Sequence, residues 1–323
     1  MIMKKILKGS ILAIISILAV VVLTACDNDG DDFPSRSVSI YVPFSAGGGT
    51  DLVARGMAEA ARDSFPAGVA VENRTGAGGA VGISAGANAT ADGYTITTLT
   101  VESVTLPHMG GVEFDGDSFI PIIMLNEAYS VITVHANSDF HTLDDLISAS
   151  SQSPILVGNS GVGAIWHLAA AAFAEQSGAI FEHVPFEGAA DAITSILGEH
   201  IDAVTVSFPE VVGQVEAGEL RVLAILGPDR IDEIPGVPTA GELGFDVEVS
   251  AWRGMGVPAG TPQDIVDTLY EIFSEAAVSD YFTDFMANNN LSVDIMNPQE
   301  FANRMERDDA LFGELIANLG LAD

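Results

Sequence analysis

Residues 44–51 read Phe-Ser-Ala-Gly-Gly-Gly-Thr-Asp and follow an apolar run, Val38–Val42, that is typical of a buried strand. The glycines allow a bound group to approach the backbone closely. Thr50 and Asp51 are residue types that cap helices, so they predict that a helix begins there. A helix N-terminus presents free N–H groups and a partial positive charge, and this stretch therefore predicts a site for an anionic group.

A second stretch repeats this arrangement roughly a hundred residues later, about the length of one small domain. The apolar run Ile155–Gly158 is followed by the loop Asn159–Gly163 and by a predicted Ala-rich helix, Ala164–Ser177. Facing Ala46–Thr50, this loop would hold the other end of a dicarboxylate without a buried Lys or Arg. The alternative is that both loops are ordinary turns with helix caps.

The sequence gives little support to catalytic or cofactor chemistry. Gly158–Val162 nearly matches the nucleophile elbow of serine hydrolases, but Val162 stands where the last glycine is required. The six histidines lack metal-binding spacing. The loop Gly47–Thr50 lacks the lysine of a P-loop, and Gly76–Gly79 lacks the glycine spacing of a dinucleotide site. We therefore expect a binding protein without a cofactor, with a serine hydrolase as the weakest alternative.

The net charge excludes one class of partner. Of 323 residues, 45 are acidic and 12 are basic, which gives a formal charge of −33. The three lysines (Lys4, Lys5 and Lys8) all lie near the N-terminus, so the rest of the chain is still more acidic. Such a surface repels phosphate backbones and excludes nucleic-acid binding. Because 48% of the residues are hydrophobic, the chain can bury one or two cores.

Residues 1–25 predict a secretory signal, because the basic start is followed by an apolar run from Ile11 to Leu23. Leu23–Cys26 resembles the lipobox of bacterial lipoproteins, which implies cleavage before Cys26 and lipid attachment to that residue. A plain signal peptide or a transmembrane helix is the alternative. We expect residues 26–37 to form a flexible acidic tether. The protein is then exported and lipid-anchored, facing the periplasm or the cell exterior.

Strands and helices alternate along the rest of the chain, which is typical of parallel α/β sheets. The predicted strands are Val38–Val42, Val69–Glu72, Tyr94–Leu99, Ile120–Met124, Val131–Val134, Ile155–Gly158, Phe181–Val184, Asp202–Val206 and Leu220–Leu226. The predicted helices are Thr50–Ser64, Ala80–Ala89, Leu143–Ser150, Ala164–Ser177, Ala189–Leu197, Pro209–Glu216, Pro262–Ser274, Asp280–Ala287 and Pro298–Ile316. Because ligands of such sheets bind at the strand ends, we expect a cleft between two α/β domains.

Seven ordered motifs resemble the Bug family, the solute receptors of tripartite tricarboxylate transporters: VPFSAGGGTDLVAR, VENRTGAGGAVG with ADGYTI, NSGVGAIWHLA, HVPFEGAADAITSILGEHIDAV, AGELRVLAI, PGVPTAGELGF and WRGMGVPAGTP. The resemblance extends from Val38 to the C-terminus. It implies a type II periplasmic-binding-protein fold, with two doubly wound α/β domains joined by two crossover strands. It also implies capture of small carboxylates, commonly di- or tricarboxylates, amino-acid-like acids or aromatic acids, for a membrane partner.

The family binds its ligand between two loops, which are matched here by Phe44–Asp51 and Ser160–His167. The resemblance and the loop pattern together give the expected ligand-binding residues: Phe44, Ala46, Gly47, Gly48, Gly49, Thr50, Asp51, Thr100, Glu102, Ser103, Ser160, Gly161, Gly163, Trp166, His167, Gly188, Ala189 and Ser207. We expect no catalytic residue and no metal ligand among them.

Departures from the family pattern bear on specificity. Glu102 stands where small neutral residues are usual, and in the cleft it would repel a second carboxylate or attract an ammonium group. The alternative is a solvated acid at the rim. Trp166 is expected either to line the pocket or to pack in the core. Val206 replaces a frequent Asp, so the resemblance does not imply citrate as the ligand.

We expect residues 38–129 and 250–323 to form domain 1 and residues 130–249 to form domain 2, with hinges near Tyr129 and Ser250. Closure would bury a carboxylate between the two loops and present a closed face to membrane transporter subunits. A sensor that passes its closed form to a signalling protein is the alternative partner assignment. We expect the protein to be a monomer.

Overall fold

The structure, a computed structural model, describes residues 33–322, and the chain from Arg36 onward forms one compact unit. The predicted signal peptide, Cys26 and most of the predicted tether lie outside the described residues. The strands are β1 (Val38–Val42), β2 (Val69–Asn73), β3 (Thr95–Thr100), β4 (Phe119–His135), β5 (Ile155–Asn159), β6 (Phe181–Pro185), β7 (Ala203–Ser207), β8 (Leu220–Leu226) and β9 (Ser250–Pro258).

The helices are α1 (Gly49–Ala60), α2 (Ala80–Ala87), α3 (Glu102–Thr105), α4 (Leu143–Ser150), α5 (Ile165–Ser177), α6 (Ala189–Leu197), α7 (Phe208–Glu216), α8 (Gln263–Ala277), α9 (Asp280–Asn288) and α10 (Pro298–Asn318). Short 3₁₀ turns lie at Arg62–Ser64, Ala77–Gly79, Leu106–Met109, Gly116–Ser118 and Gly241–Leu243. Between residues 33 and 322, no helix combines the length and the apolar character that crossing a bilayer requires.

Strand β4 joins two portions of one continuous sheet. Its first part, Phe119–Tyr129, pairs antiparallel with β9, which continues through β3 and β1 to β2. Its second part, Ser130–His135, pairs antiparallel with β7 and β8, and β7 continues through β5 to β6. We call these portions the first sheet and the second sheet.

The sequence prediction of two separate strands, Ile120–Met124 and Val131–Val134, is wrong because β4 runs through both. The polar pair Asn126 and Glu127 interrupts the apolar pattern but still pairs with β9, after an irregularity in the register at Met124. Strand β9 was not predicted. Most other predicted elements are confirmed with ends that move by a few residues.

Alternating and helical apolar patterns build the core around these sheets. In β1 the side chains of Val38, Ile40 and Val42 are fully buried, and α1 adds Val53 and Met57. Such burial is the main favourable contribution to folding. The periodicity in the sequence therefore determines which face of each element is covered.

Helix α10 holds Trp252 of β9 in place through a hydrogen bond and a ring contact. Its Asp308 accepts a hydrogen bond from Trp252 Nε1 at 2.9 Å, and the rings of Trp252 and Phe301 meet edge to face with centroids 5.0 Å apart. Asn297 caps this helix in a reciprocal capping box with Glu300. Trp252 is therefore held rigidly in the middle of the molecule, next to the site described below.

The central pairing of β9 requires glycine at position 254. A Cβ atom there would overlap both Ile123 O and the ring of Phe301. We expect Gly254→Ala to lower the free energy of unfolding by about 1–3 kcal/mol through overpacking, as measured by urea unfolding. Gly213→Ala is the matched control, because Gly213 lies in helix α7 with open space around its Cα, and we expect it to add up to about 1 kcal/mol. Equal stability of the two variants would contradict this.

Candidate functional site

A cavity of about 20 Å³ lies where the loops of the first and second sheets meet. The first sheet and its connections contribute Phe44, Gly48, Gly49, Thr50, Thr100, Glu102, Ala251, Trp252 and Arg253, and the second contributes Ser160, Ile165, Trp166, Ala189 and Glu210. This volume holds about one water molecule. A larger guest therefore requires the two sides to move apart.

The structure brings half of the sequence-predicted residues to this cavity. Those that line it are Phe44, Gly48, Gly49, Thr50, Thr100, Glu102, Ser160, Trp166 and Ala189. Ala46 and Gly47 are exposed outside it. The remaining predicted residues are buried or partly buried around the two loops and do not line it: Asp51, Ser103, Gly161, Gly163, His167, Gly188 and Ser207.

Asp51 fixes the shape of the first loop. Its carboxylate accepts hydrogen bonds from Gly47 N at 2.9 Å, from Arg55 Nε at 2.9 and 3.0 Å, and from Asn73 Nδ2 at 2.9 Å. Burial raises the pKa of Asp51, but these hydrogen bonds outweigh burial and hold the pKa below its ordinary value. Asp51 therefore stays ionised and positions the loop.

Helix α1 begins one residue earlier than the sequence predicted. Its N-cap is Gly48, which has an extended backbone, so the prediction that Thr50 and Asp51 cap the helix is wrong. The cause is the side chain of Asp51, which turns back to Gly47 N and lets the helix start at Gly49. The N–H group of Gly49 then points out of the helix end toward the second sheet.

His167 has the same positioning role in the second loop. Its Nδ1 accepts a hydrogen bond from Gly163 N at 3.1 Å, and its ring meets that of His183 edge to face with centroids 4.5 Å apart. Burial, with a smaller contribution from His183, lowers the pKa of His167 to about 4. The neutral imidazole holds the turn that leads into helix α5.

Two glutamates each bind the N-terminus of a helix on the opposite side of the cavity. Glu210 of α7, on the side of the second sheet, accepts a hydrogen bond from Gly49 N at 2.9 Å, and Glu102 of α3, on the side of the first sheet, accepts one from Ile165 N at 2.8 Å. Helix N-termini favour carboxylates in this way. The anion-binding N–H groups predicted from the sequence are therefore present, but the chain's own carboxyl groups occupy them.

Glu102 is 1% exposed, so its interpretation as a solvated rim acid is wrong. Burial raises its pKa above the ordinary value, against the hydrogen bond from Ile165 and the charge of Arg253. Glu210 also closes a capping box on α7, where Oε2 accepts from Ser207 N at 3.0 Å and Ser207 Oγ at 2.8 Å. Both acids are thus held firmly at the cavity wall.

Arg253 and Glu210 are charged residues of the cavity that were not predicted from the sequence. Arg253 is 2% exposed, and its Nε and Nη1 donate to Thr50 Oγ1 at 3.2 Å and to Asn126 Oδ1 at 2.7 Å. Its Nη2 lies 3.8 Å from Glu210 Oε1. Burial lowers its pKa, while the carboxyl groups of Glu210 and Glu102 oppose that shift, and a guanidinium stays charged. The expectation of a site without a buried Lys or Arg is therefore wrong.

The site can bind a polar guest but lacks the parts of a hydrolase. Ser160 Oγ is buried without a hydrogen-bond partner among the described residues, so no histidine activates it as a nucleophile. In the same described residues, no group of three or more His, Asp or Glu side chains could hold a metal ion. Phe44, Trp166 and Trp252 give the cavity apolar walls around its charged groups.

The chain matches the family described as "Tripartite tricarboxylate transporter family receptor" over residues 53–321. It is 30% identical over 297 residues to protein BugT of Bordetella pertussis, with 90% of this chain and 91% of that protein covered. These matches confirm the resemblance found in the sequence. Because the family consists of receptors, the prediction that the chain is not an enzyme is also confirmed.

Solved structures show the same fold. The periplasmic binding protein BugD superimposes with a TM-score of 0.85 at 29% identity, covering 90% of this chain and 99% of that one. The R. palustris protein Rpa4515, solved with adipate, superimposes with a TM-score of 0.84 at 27% identity, again covering 90% of this chain and 99% of that one. The predicted two-domain α/β fold of periplasmic binding proteins is thereby confirmed.

The lowered pKa of His167 makes stability depend on pH. Between the ordinary value of 6.5 and about 4, the unfolded chain binds a proton that the folded chain excludes. The free energy of unfolding should fall through this window as pH falls, with a contribution of up to about 3 kcal/mol from this residue. His167→Asn keeps an acceptor for Gly163 N and cannot titrate. Urea unfolding at about pH 7 and about pH 4.5 should show a smaller loss for the variant, and an equal loss would contradict the assignment.

Proposed function

The chain belongs to the family of tripartite tricarboxylate transporter receptors, and we propose that it captures a small organic carboxylate between its first and second sheets and delivers it to the membrane subunits of such a transporter. The observation that carries this proposal is the buried guanidinium of Arg253 in the cavity between the first and second sheets. Arginine is suited to carboxylates, because its guanidinium donates charge-assisted hydrogen bonds to them. The relative solved with adipate supports the same class of ligand.

Among the residues at the cavity, we assign ligand contact to Gly48, Thr50, Ser160 and Arg253. Glycine at position 48 leaves the wall open, because the nearest atoms to an added Cβ are Ser45 O at 3.7 Å and Glu210 Oε1 at 3.8 Å. Asp51 and His167 do not line the cavity. They hold the two loops in shape by accepting hydrogen bonds from Gly47 N and Gly163 N. Of the predicted residues, we thus propose Gly48, Thr50 and Ser160 as contact residues and Asp51 and His167 as positioning residues.

The two domains that we propose are residues 38–129 with 250–323, and residues 130–249. The change of partner in β4 between Tyr129 and Ser130, and the start of β9 at Ser250, support these boundaries. The hydrogen bonds Gly49–Glu210 and Ile165–Glu102 then join the domains across the cleft. Ligand entry requires the two sides to move apart, and closure around the ligand would restore these contacts and form the surface that the transporter recognises.

Export and lipid attachment at Cys26 complete the proposal. They depend on residues 1–32, where the basic and apolar pattern and the lipobox-like Leu23–Cys26 lie. A receptor tethered to the membrane surface by residues 26–37 would remain close to the transporter subunits that it serves. The strong negative charge does not fit nucleic-acid binding.

The proposed activity predicts stabilisation by ligand. We expect at least one acid from a panel of mono-, di- and tricarboxylates and amino acids to raise the Tm. At a hundredfold excess over Kd, a bound acid should add about 2.7 kcal/mol to the free energy of unfolding. The measurement is a thermal unfolding scan at fixed ionic strength. If no acid in the panel shifts the Tm, the proposed function fails.

A bulky side chain at position 48 should block the site without unfolding the protein. Gly48 has φ −78° and ψ 166°, which any residue can adopt, so Gly48→Ala should fold and bind much as the wild type does. Gly48→Leu extends into the cavity, and we expect at least a tenfold loss of affinity for the acid found in the panel. Calorimetric titration measures the affinity, and a circular-dichroism melt checks the fold. Wild-type affinity in a folded Gly48→Leu variant would exclude this loop from the binding site.

A further inference from the structure

We infer that the cavity selects an amino-acid-like zwitterion, a small acid with one ammonium group beside its carboxylate, over a plain dicarboxylate. This inference rests on the proposed function and names its ligand class. It comes from the arrangement of Glu102, Glu210 and Arg253, which are all buried at the wall of one cavity.

The helix ends are not free to receive a diacid. A dicarboxylate that spanned the two sheets would use the N–H groups at the starts of α1 and α5, which are helices of 12 and 13 residues. Gly49 N already donates to Glu210, and Ile165 N already donates to Glu102. Two ligand carboxylates would have to displace two carboxyl groups that belong to the protein.

Arg253 leaves donors for a single carboxylate. Its Nε and Nη1 are occupied by Thr50 and Asn126, but Nη2 is 3.8 Å from Glu210 Oε1, which is beyond hydrogen-bond distance. A guanidinium edge that faces a cavity binds a carboxylate through charge-assisted hydrogen bonds. The ligand's carboxylate is therefore assigned to Nη2 of Arg253.

Ser160 independently indicates a polar guest. Its side chain is 4% exposed, it lines the same cavity from the second sheet, and its Oγ has no hydrogen-bond partner among residues 33–322. A buried hydroxyl without a partner is costly, so a ligand that bonds to it gains affinity. The hydroxyl can accept a hydrogen bond from an ammonium group.

The charge balance favours an ammonium group over a second carboxylate. Two carboxyl groups already surround one guanidinium, and a dicarboxylate would add two negative charges to a site that closure removes from water. A zwitterion adds no net charge. Burial already raises the pKa of Glu102, which a further anion nearby would raise more and an ammonium group would lower. Glu102 and Glu210 then accept from the ammonium group.

The experiment compares zwitterions with acids that lack an ammonium group. The zwitterions are glycine and 2-aminobutanoate, and the acids are acetate, butanoate, succinate and glutarate, each titrated calorimetrically into the protein. We expect the tighter of the two zwitterions to bind at least tenfold more tightly than every acid without an amino group. Equal or tighter binding by any of those acids would overturn the inference, while the carboxylate receptor would stand.

Two variants assign the preference to the buried acids. Glu102→Gln keeps an oxygen that can accept from Ile165 N but removes the charge, and we expect it to reduce the amino-acid preference at least fivefold. Glu187→Gln is the matched control, because Glu187 is exposed, its backbone oxygen accepts from Ser45 N across the same cleft, and its side chain does not line the cavity. We expect the control to leave the ratio unchanged, and an unchanged ratio in Glu102→Gln as well would contradict the role of Glu102. Failure of every acid in the wider panel would instead overturn the proposed function itself.

Discussion

The contact between the two sides of this protein depends on two buried helix N-termini, each of which is bound by a glutamate from the opposite side of the cavity. N–H groups at helix ends need acceptors once water is excluded, and Glu210 and Glu102 supply them to Gly49 and Ile165. Carboxyl groups buried this deeply need a counter-charge, which Arg253 provides. The contact between the two sides and the charge of the site therefore depend on the same residues.

Local patterns predicted most of the fold. Alternating Val38, Ile40 and Val42 predicted β1, and the glycine loops predicted where helices begin at the sheet edge. The pattern failed at β4, where Asn126 and Glu127 look like a break. Asn126 is fully buried, and its side-chain oxygen accepts a hydrogen bond from the guanidinium of Arg253. Arg253 is also its pairing partner in β9 and lies 127 residues away in the chain. Apolar periodicity carries no information about such polar pairs.

Local sequence patterns predicted the two loops of the site, but they did not predict which charged side chains meet between them. Ser207 and Glu210 have the spacing of a capping box, and the structure contains that box, but the spacing gives no sign that Glu210 also reaches Gly49, 161 residues earlier. Arg253 lies in a strand whose other residues are uncharged and, apart from Ser250, buried, and it shows no local signal for a site. Glu102 was singled out as unusual, yet only its 1% exposure distinguishes a cleft acid from a rim acid.

The central claim is that an organic acid binds between the two sheets against Arg253. The most direct measurement is a crystal structure of the protein with the acid that stabilises it most. The account predicts a ligand carboxylate roughly 2.7–3.2 Å from the guanidinium of Arg253, enclosed by Gly48–Thr50 on one side and Ser160 on the other. A ligand bound on an outer surface, with the cleft still closed by Glu102 and Glu210, would contradict it.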